Sequence, residues 1–288
     1  MEELLLGGQA VIEGVMMKGK NHYAVAVRKN DGEILVDHNI WDSLTQKLKI
    51  FSFPIIRGVV SLVEMMVLGI RTLTYSANVA AEDMDENLSG TEIFFTILVS
   101  LLFSALLFIL LPLFLSGLII NNNNIWFNIL DGVLRILIFI GYVLAIGMMN
   151  DVKTLFEYHG AEHKTVHAYE AKVPLTVKNV KKYSTLHPRC GTSFVFIVLI
   201  VSIIVFSLVR PETFLMKLVS RLTLIPLIAG ISYEILKISA KKKDSFLFKL
   251  IVLPGLGVQK LTTREPSNKQ LEVSIESIKK VIALEAKK

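Results

Sequence analysis

Four stretches of the chain are apolar enough to predict transmembrane helices. Residues 93–117 form the strongest one, without any charged side chain, and residues 129–149 and 191–209 follow it. Residues 213–235 are weaker, because two basic side chains, a proline and a glycine interrupt them. A transmembrane helix needs about 20 mostly apolar residues. The pattern therefore predicts an α-helical polytopic membrane protein with about four transmembrane helices.

Charged residues inside these stretches need partners. Asp131 and Arg135 are four residues apart, which places them on one helix face, where they are predicted to pair. Lys217 and Arg221 interrupt the first half of the weakest stretch. Such side chains are tolerated only where they face protein, water or the membrane interface.

The composition agrees with a membrane protein. Hydrophobic residues make up 52% of the chain and charged residues 19%, whereas soluble domains carry about 25% charged residues. Cys190 is the single cysteine, which excludes an internal disulfide. The first residues are acidic where a signal peptide is basic, so no signal peptide is predicted.

The basic residues predict the orientation. Residues 118–128 contain no Lys or Arg, whereas residues 151–190 and the stretch after residue 235 contain many. Cytoplasmic loops are enriched in Lys and Arg, so both termini and the 151–190 loop are expected in the cytoplasm. The net charge of +6 is then explained by topology and contact with membrane lipids, and no nucleic-acid partner is expected.

The segments that flank the apolar stretches predict smaller elements. Residues 22–29 and 33–37 alternate around Asp31-Gly32, which predicts a β-hairpin, and residues 7–14 can supply a third strand. Residues 246–258 are too short to span and are expected to be interfacial or re-entrant. Residues 268–288 are expected to form a solvated, partly amphipathic terminal helix.

A polar stripe runs along the helix predicted after residue 53. Arg57, Glu64 and Arg71 recur every seven residues and so share one face. The stripe predicts an amphipathic helix lying on the headgroups; alternatively, it faces an active site and holds an anionic group. The expected organisation of the chain is a β unit at 1–50, this interfacial helix at 51–90, helices at 91–150, a His/Glu-rich segment at 151–190, helices at 191–240, and an interfacial segment with a tail at 241–288.

A stripe of histidines and glutamates marks the candidate site. His159, Glu162 and His163 form an H-x-x-E-H sequence, and His167 and Glu170 follow. On a helix all five lie within about 140° of one face. His residues four apart can reach one metal ion, and in one class of zinc peptidases with this order the Glu is the base. We therefore expect a metal site with Glu162 as the catalytic base.

The length of the stripe limits how many histidines share one ion. His159 and His167 stand about 12 Å apart along a straight helix. Either one adjacent pair binds, or the helix bends at Gly160, or there are two metals. His187 and Cys190 are further donors downstream, although Cys190 can also be a small packed residue. Nitrogen donors with one thiolate favour zinc, with manganese or iron open if carboxylates bind.

Further charged residues are expected near this site. Glu234 is expected at the cytoplasmic end of the fourth helix, as a ligand, a partner of the ligands, or an ion-pair partner of Lys237. Glu170 is likewise expected either as a ligand or as a partner of the ligands. Arg57, Arg71 and Arg189 are candidates for holding a phosphate group.

Five long motifs give the chain a resemblance to a known family. They lie at residues 7–17, 158–164, 187–194, 226–234 and 254–266. In them the chain resembles the YqhQ-like family of bacterial membrane proteins, which are described as predicted metal-dependent enzymes. The resemblance implies an inner-membrane protein and a metal site on His159, Glu162, His163, His187 and Cys190. It implies no substrate.

The function expected from these patterns is a metal-dependent hydrolase. His159 and His163 hold the metal, His167, His187 or Cys190 completes the site, and Glu162 deprotonates the water. The substrate is expected in the membrane, as a lipid headgroup or an interfacial peptide. Two alternatives stay open: a scaffold or assembly factor with a structural metal, and a transporter that uses the interrupted fourth helix. Self-association into a homo-oligomer also stays open.

Overall fold

The N-terminal region forms one antiparallel sheet whose strands follow in chain order. They are β1 Gly7–Val11, β2 Gly14–Lys18, β3 His22–Arg28 and β4 Ile34–Ile40. The predicted hairpin is present as β3 and β4, with His22 opposite Ile40. The predicted third strand is β1. The sequence did not predict β2, because most of its side chains are buried and no polar alternation marks it.

The rest of the protein is mostly helical. The computed structural model describes residues 4–82, 89–120, 125–209, 211, 213–241 and 246–286. In that part of the chain the helices are α1 Leu44–Lys47, α2 Ile56–Glu82, α3 Gly90–Ala105, α4 Leu111–Ile119, α5 Ile125–Ile146, α6 Asn150–Glu170, α7 Val177–Val180, α8 Gly191–Leu208, α9 Phe214–Thr223, α10 Ile225–Lys241, α11 Phe246–Thr262 and α12 Asn268–Glu285.

Three long apolar helices can cross a membrane by length and composition. A π-helical segment joins α3 and α4 into one helix, Gly90–Ile119, and the others are Trp126–Ile146 and Gly191–Leu208. The helices α9 and α10 meet at a bend of 46° and make a fourth candidate if they are taken as one broken span. The three or four helices are compatible with a membrane protein.

Charged side chains within these helices are buried against one another. Asp131 on α5 accepts hydrogen bonds from Arg135 at 2.9 Å and from Arg221 on α9 at 3.1 Å. The predicted pair of Asp131 and Arg135 is therefore confirmed. The ammonium of Lys217 lies 3.6 Å from the centre of the Phe127 ring. These contacts explain how a helix interrupted by basic residues packs among apolar neighbours.

The polar stripe of α2 makes contacts within the protein. Arg57 pairs with Glu234 on α10, and Glu64 accepts a hydrogen bond from Ser43 at 2.7 Å. Arg71 is exposed. The stripe thus connects α2 to Ser43, which precedes it in the chain, and to α10, which follows it.

The terminal helix α12 is part of the core, so the expectation of a solvated helix is wrong. Leu271, Val273 and Ile278 are fully buried. One apolar face of α12 covers the sheet, and its neighbour on that side is α6. Because burying a large apolar side chain contributes about 1.5–3 kcal/mol, this packing holds the N-terminal sheet, α6 and α12 together as one unit that carries the histidines.

Candidate metal centre

The helix α6 carries the histidine stripe without interruption from Asn150 to Glu170. Its donors fall into two groups together with residues from the segment before α8. In each group the candidate ligand atoms all lie within 4.8 Å of one another. The first group is His159, His163 and Cys190, and the second is His167, Glu170 and His187. The division follows the length of the stripe, since one ion cannot reach along three turns.

The first group joins α6 to the start of α8. His159 Nε2 lies 3.2 Å from Cys190 Sγ, and the His159 and His163 rings are 4.4 Å apart. Cys190 is the N-cap residue of α8. This position explains why a cysteine at residue 190 meets a histidine 31 residues earlier.

Backbone carbonyls orient both imidazoles of the first group. His159 Nδ1 lies 2.9 Å from the carbonyl oxygen of Thr262, and His163 Nδ1 lies 2.5 Å from that of Thr185. A carbonyl oxygen only accepts, so each Nδ1 carries the proton and donates it. Each Nε2 then presents a lone pair. Metal-binding histidines commonly show this arrangement.

Gly160 allows the chain after α11 to approach α6. A Cβ atom at this position would lie 2.0 Å from the carbonyl oxygen of Arg264. The amide of Arg264 donates to the carbonyl of Phe156 at 2.9 Å. The close approach brings Thr262 to His159. The sequence suggested Gly160 only as a place where the helix bends, and this close approach was not predicted.

Gln259 holds the backbone of His187. Its amide nitrogen donates to the His187 carbonyl, and its amide oxygen accepts from the His187 N–H, both at 2.9 Å. Gln259 is fully buried. Gln259 was not among the predicted site residues, although its place within the 254–266 motif was a signal that could have indicated it.

The second group is a hydrogen-bonded network. His187 Nδ1 accepts from the N–H of Arg189 at 3.3 Å, so its proton lies on Nε2, which is 3.5 Å from Glu170 Oε1. The Arg189 side chain also donates to Glu170. Burial lowers the pKa of His187 to about 4, which keeps the ring neutral near pH 7. His167 stacks on Tyr183 and lies 2.9 Å from the carbonyl of Leu186 through Nε2.

Glu234, predicted as a ligand or a partner of the ligands, lies outside both groups. Glu234 pairs with Arg57, and in the described part of the chain it joins neither donor group. Two of the three arginines proposed to hold a phosphate, Arg57 and Arg189, are thus paired with glutamates. Arg71 is the exposed one.

Glu162 lies beside the first group, in a cavity. Its Oε2 is 3.7 Å from His163 Nε2. Burial raises the pKa of Glu162, while His159 and the amide of Gly8 act in the opposite direction. The cavity has a volume of about 800 Å³, and its lining includes Glu162, His159, His163 and Cys190. Two imidazoles and a cysteine sulfur are a donor set that fits zinc.

The comparisons with known proteins agree with the resemblance seen in the motifs. The model of the family "Protein of unknown function (DUF1385)" matches residues 53–284. An "Uncharacterized protein YqhQ" of Bacillus subtilis (strain 168) is 36% identical over an alignment of 301 residues, gaps included, which covers 97% of this chain and 93% of that protein. No solved structure matches significantly. The chain belongs to the DUF1385 family and is a relative of the Bacillus YqhQ protein.

Proposed function

We propose that this protein is a metal-dependent hydrolase of the bacterial inner membrane. One observation carries the proposal: His159, His163 and Cys190 converge with both Nε2 lone pairs available, because backbone carbonyls hold both Nδ1 atoms. Free side chains rarely share this orientation unless something fixes it. A divalent ion, with zinc favoured, is the ligand that such a donor set suits.

Three protein donors leave a fourth position, which is typical of catalytic zinc sites. The cavity and Glu162 border the donor group, so a substrate in the cavity would lie next to an ion held by these three residues. A zinc ion there would increase the acidity of water. Glu162 is within reach to take the proton, and its raised pKa brings the carboxylate closer to the pH at which a general base works best.

The position of the site favours a membrane-resident substrate. Cys190 immediately precedes α8, one of the helices long and apolar enough to span. If α8 spans, the donor group lies at the membrane surface, with both termini and α6 on the cytoplasmic side. A lipid headgroup or an interfacial peptide can then reach the site without leaving the bilayer.

A structural role is the second candidate. Its support is the second donor group, in which His187, Glu170 and Arg189 already bind one another and Gln259 clamps the backbone. In this function a metal at the first group stabilises the segment before α8, and the protein serves as a scaffold. Glu162 then has no chemical task.

Metal stoichiometry and complementation of a deletion strain separate the two functions. The purified protein is expected to hold one zinc ion in the first group. His163→Ala should lose it, because a missing ligand leaves a weaker site, whereas His38→Ala, at an exposed histidine of β4, is the matched control and should retain it.

Glu162→Gln should retain the metal but fail to complement, because the amide keeps the volume and cannot take a proton. A Glu162→Gln protein that holds zinc and complements fully would refute the hydrolase and favour the scaffold. A wild-type protein that binds no divalent ion would refute both.

A further inference from the structure

The cavity beside the first donor group has an apolar part that the proposed chemistry does not use. Its walls include Ala10 of β1, Met16 of β2, Leu155 of α6 and Val195 of α8. The histidines, Cys190 and Glu162 border the same space. A volume of about 800 Å³ is typical of sites for small ligands, which span about 300–1,000 Å³. The cavity therefore combines polar groups suited to chemistry with apolar walls suited to binding.

The apolar lining of the cavity adjoins an exposed apolar helix face. Met65 of α2 lines the cavity and is also 39% exposed. Its neighbours Leu62 and Met66 are exposed as well. Val195 lies in the second turn of α8, where that helix enters the membrane if it spans. A ligand that enters beside Met65 thus comes from the apolar side of the protein.

Lys18 gives the cavity a cation that can contact an anionic ligand. Arg189 also lines the cavity but pairs with Glu170, and Glu162 is the carboxylate among the described lining residues. Lys18 donates a hydrogen bond to the carbonyl of Gly19 at 3.0 Å, which keeps its ammonium at the cavity.

We propose that this cavity binds an anionic lipid, with one acyl chain along Met65 and Val195 and its phosphate-bearing headgroup toward Lys18 and the donor group. The inference rests on the proposed function for the reaction itself, but binding of the chain does not depend on the metal. An acyl chain gains affinity from burial along the apolar wall, and the headgroup gains affinity from the ammonium of Lys18.

Binding of lysophosphatidylglycerol to the full-length protein, measured by native mass spectrometry in detergent, tests the proposal. Met65→Trp and Val195→Trp should each weaken binding at least tenfold, because the indole occupies the path of the chain. Met66→Trp is the matched control, since Met66 is adjacent but does not line the cavity, and it should bind as the wild type does. Glycerol phosphate, which has no chain, should bind at least tenfold more weakly than the lysolipid.

The charge contribution has its own comparison. Lys18→Gln should reduce the preference for lysophosphatidylglycerol over lysophosphatidylcholine, whereas Lys20→Gln, at an exposed lysine, should not. If both Met65→Trp and Val195→Trp bind the lysolipid like the wild type, the proposal is wrong. Glycerol phosphate binding as tightly as the lysolipid would also overturn it and assign a free phosphate ester.

The same samples separate this inference from the proposed function. His163→Ala should lose zinc and keep lysolipid binding, whereas Met65→Trp should keep zinc and lose lysolipid binding. If the wild type holds zinc but does not bind the lysolipid, only the lipid proposal is refuted. Absence of zinc with intact lipid binding refutes only the hydrolase. Selective binding of an apolar peptide in place of the lysolipid would overturn the lipid assignment.

Discussion

Gly160→Ala tests whether the chain after α11 orients the metal site. The added Cβ would lie 2.0 Å from the carbonyl oxygen of Arg264, and real Cβ atoms essentially never approach within 3.0 Å. The two segments must therefore separate by about 1 Å. If Thr262 moves together with Arg264, the 2.9 Å contact between the Thr262 carbonyl and His159 Nδ1 lengthens to about 3.9 Å, beyond hydrogen-bond range.

The magnitude follows from the role of such a hydrogen bond. Loss of a group that orients a metal-binding imidazole typically weakens metal affinity by 10- to 100-fold, or about 1.4–2.7 kcal/mol. We expect that range for Gly160→Ala. Competition for zinc between the purified protein and a chromophoric chelator measures it directly.

Gly257→Ala is the matched control. Gly257 also lies in a helix near the site, in α11, but a Cβ there would meet no atom within 4 Å. Alanine is a better helix former than glycine by about 1 kcal/mol, so this variant should bind zinc normally and unfold at a slightly higher temperature. A zinc affinity of Gly160→Ala within twofold of the wild type would refute the reasoning.

Three further predictions test the buried charges and the orientation. Asp131→Ala should lower the free energy of unfolding by about 3–5 kcal/mol, because it leaves two buried guanidinium groups uncompensated. Asp42→Ala removes an exposed ion pair and should lower it by under about 1 kcal/mol; equal losses in detergent unfolding assays would contradict this. Burial lowers the pKa of His187 to about 4, against 6.5 in the unfolded chain, so the free energy of unfolding of the metal-free protein should fall by up to roughly 3 kcal/mol between pH 7 and pH 4. The free energy of unfolding of His187→Asn should fall less over this range, and an identical pH slope would argue against the burial effect. A cysteine at Leu118, in a Cys190→Ser background, should react with an impermeant thiol reagent in intact cells, and labelling only after permeabilisation would reverse the proposed orientation.

Local patterns in the sequence determined the elements whose signal lies within one segment. The uninterrupted apolar run at 93–117 predicted a long apolar helix, because helix length and hydropathy are properties of contiguous residues. The spacing of Asp131 and Arg135 predicted their pair, since residues four apart share a helix face. The same rule placed His159 and His163 side by side.

Only the tertiary structure decided which distant segments meet. The carbonyl of Thr262 reaches His159 across 103 residues, and no local pattern encodes a contact between a backbone atom and a remote side chain. Gln259 acts on His187 through backbone groups that every residue possesses. The division of the stripe into two donor groups likewise depended on where the chain before α8 returned to α6.

Burial explains why β2 and α12 were misjudged. A strand that is covered on both faces loses the alternation that identifies strands. The polar residues of α12 suggested a solvated helix, yet its apolar stripe had a partner in the sheet, more than 200 residues earlier in the chain. The sequence by itself determined the apolar helices and the histidine face. Packing between the two ends of the chain decided how that face became a site, because only the folded chain brings those ends into contact.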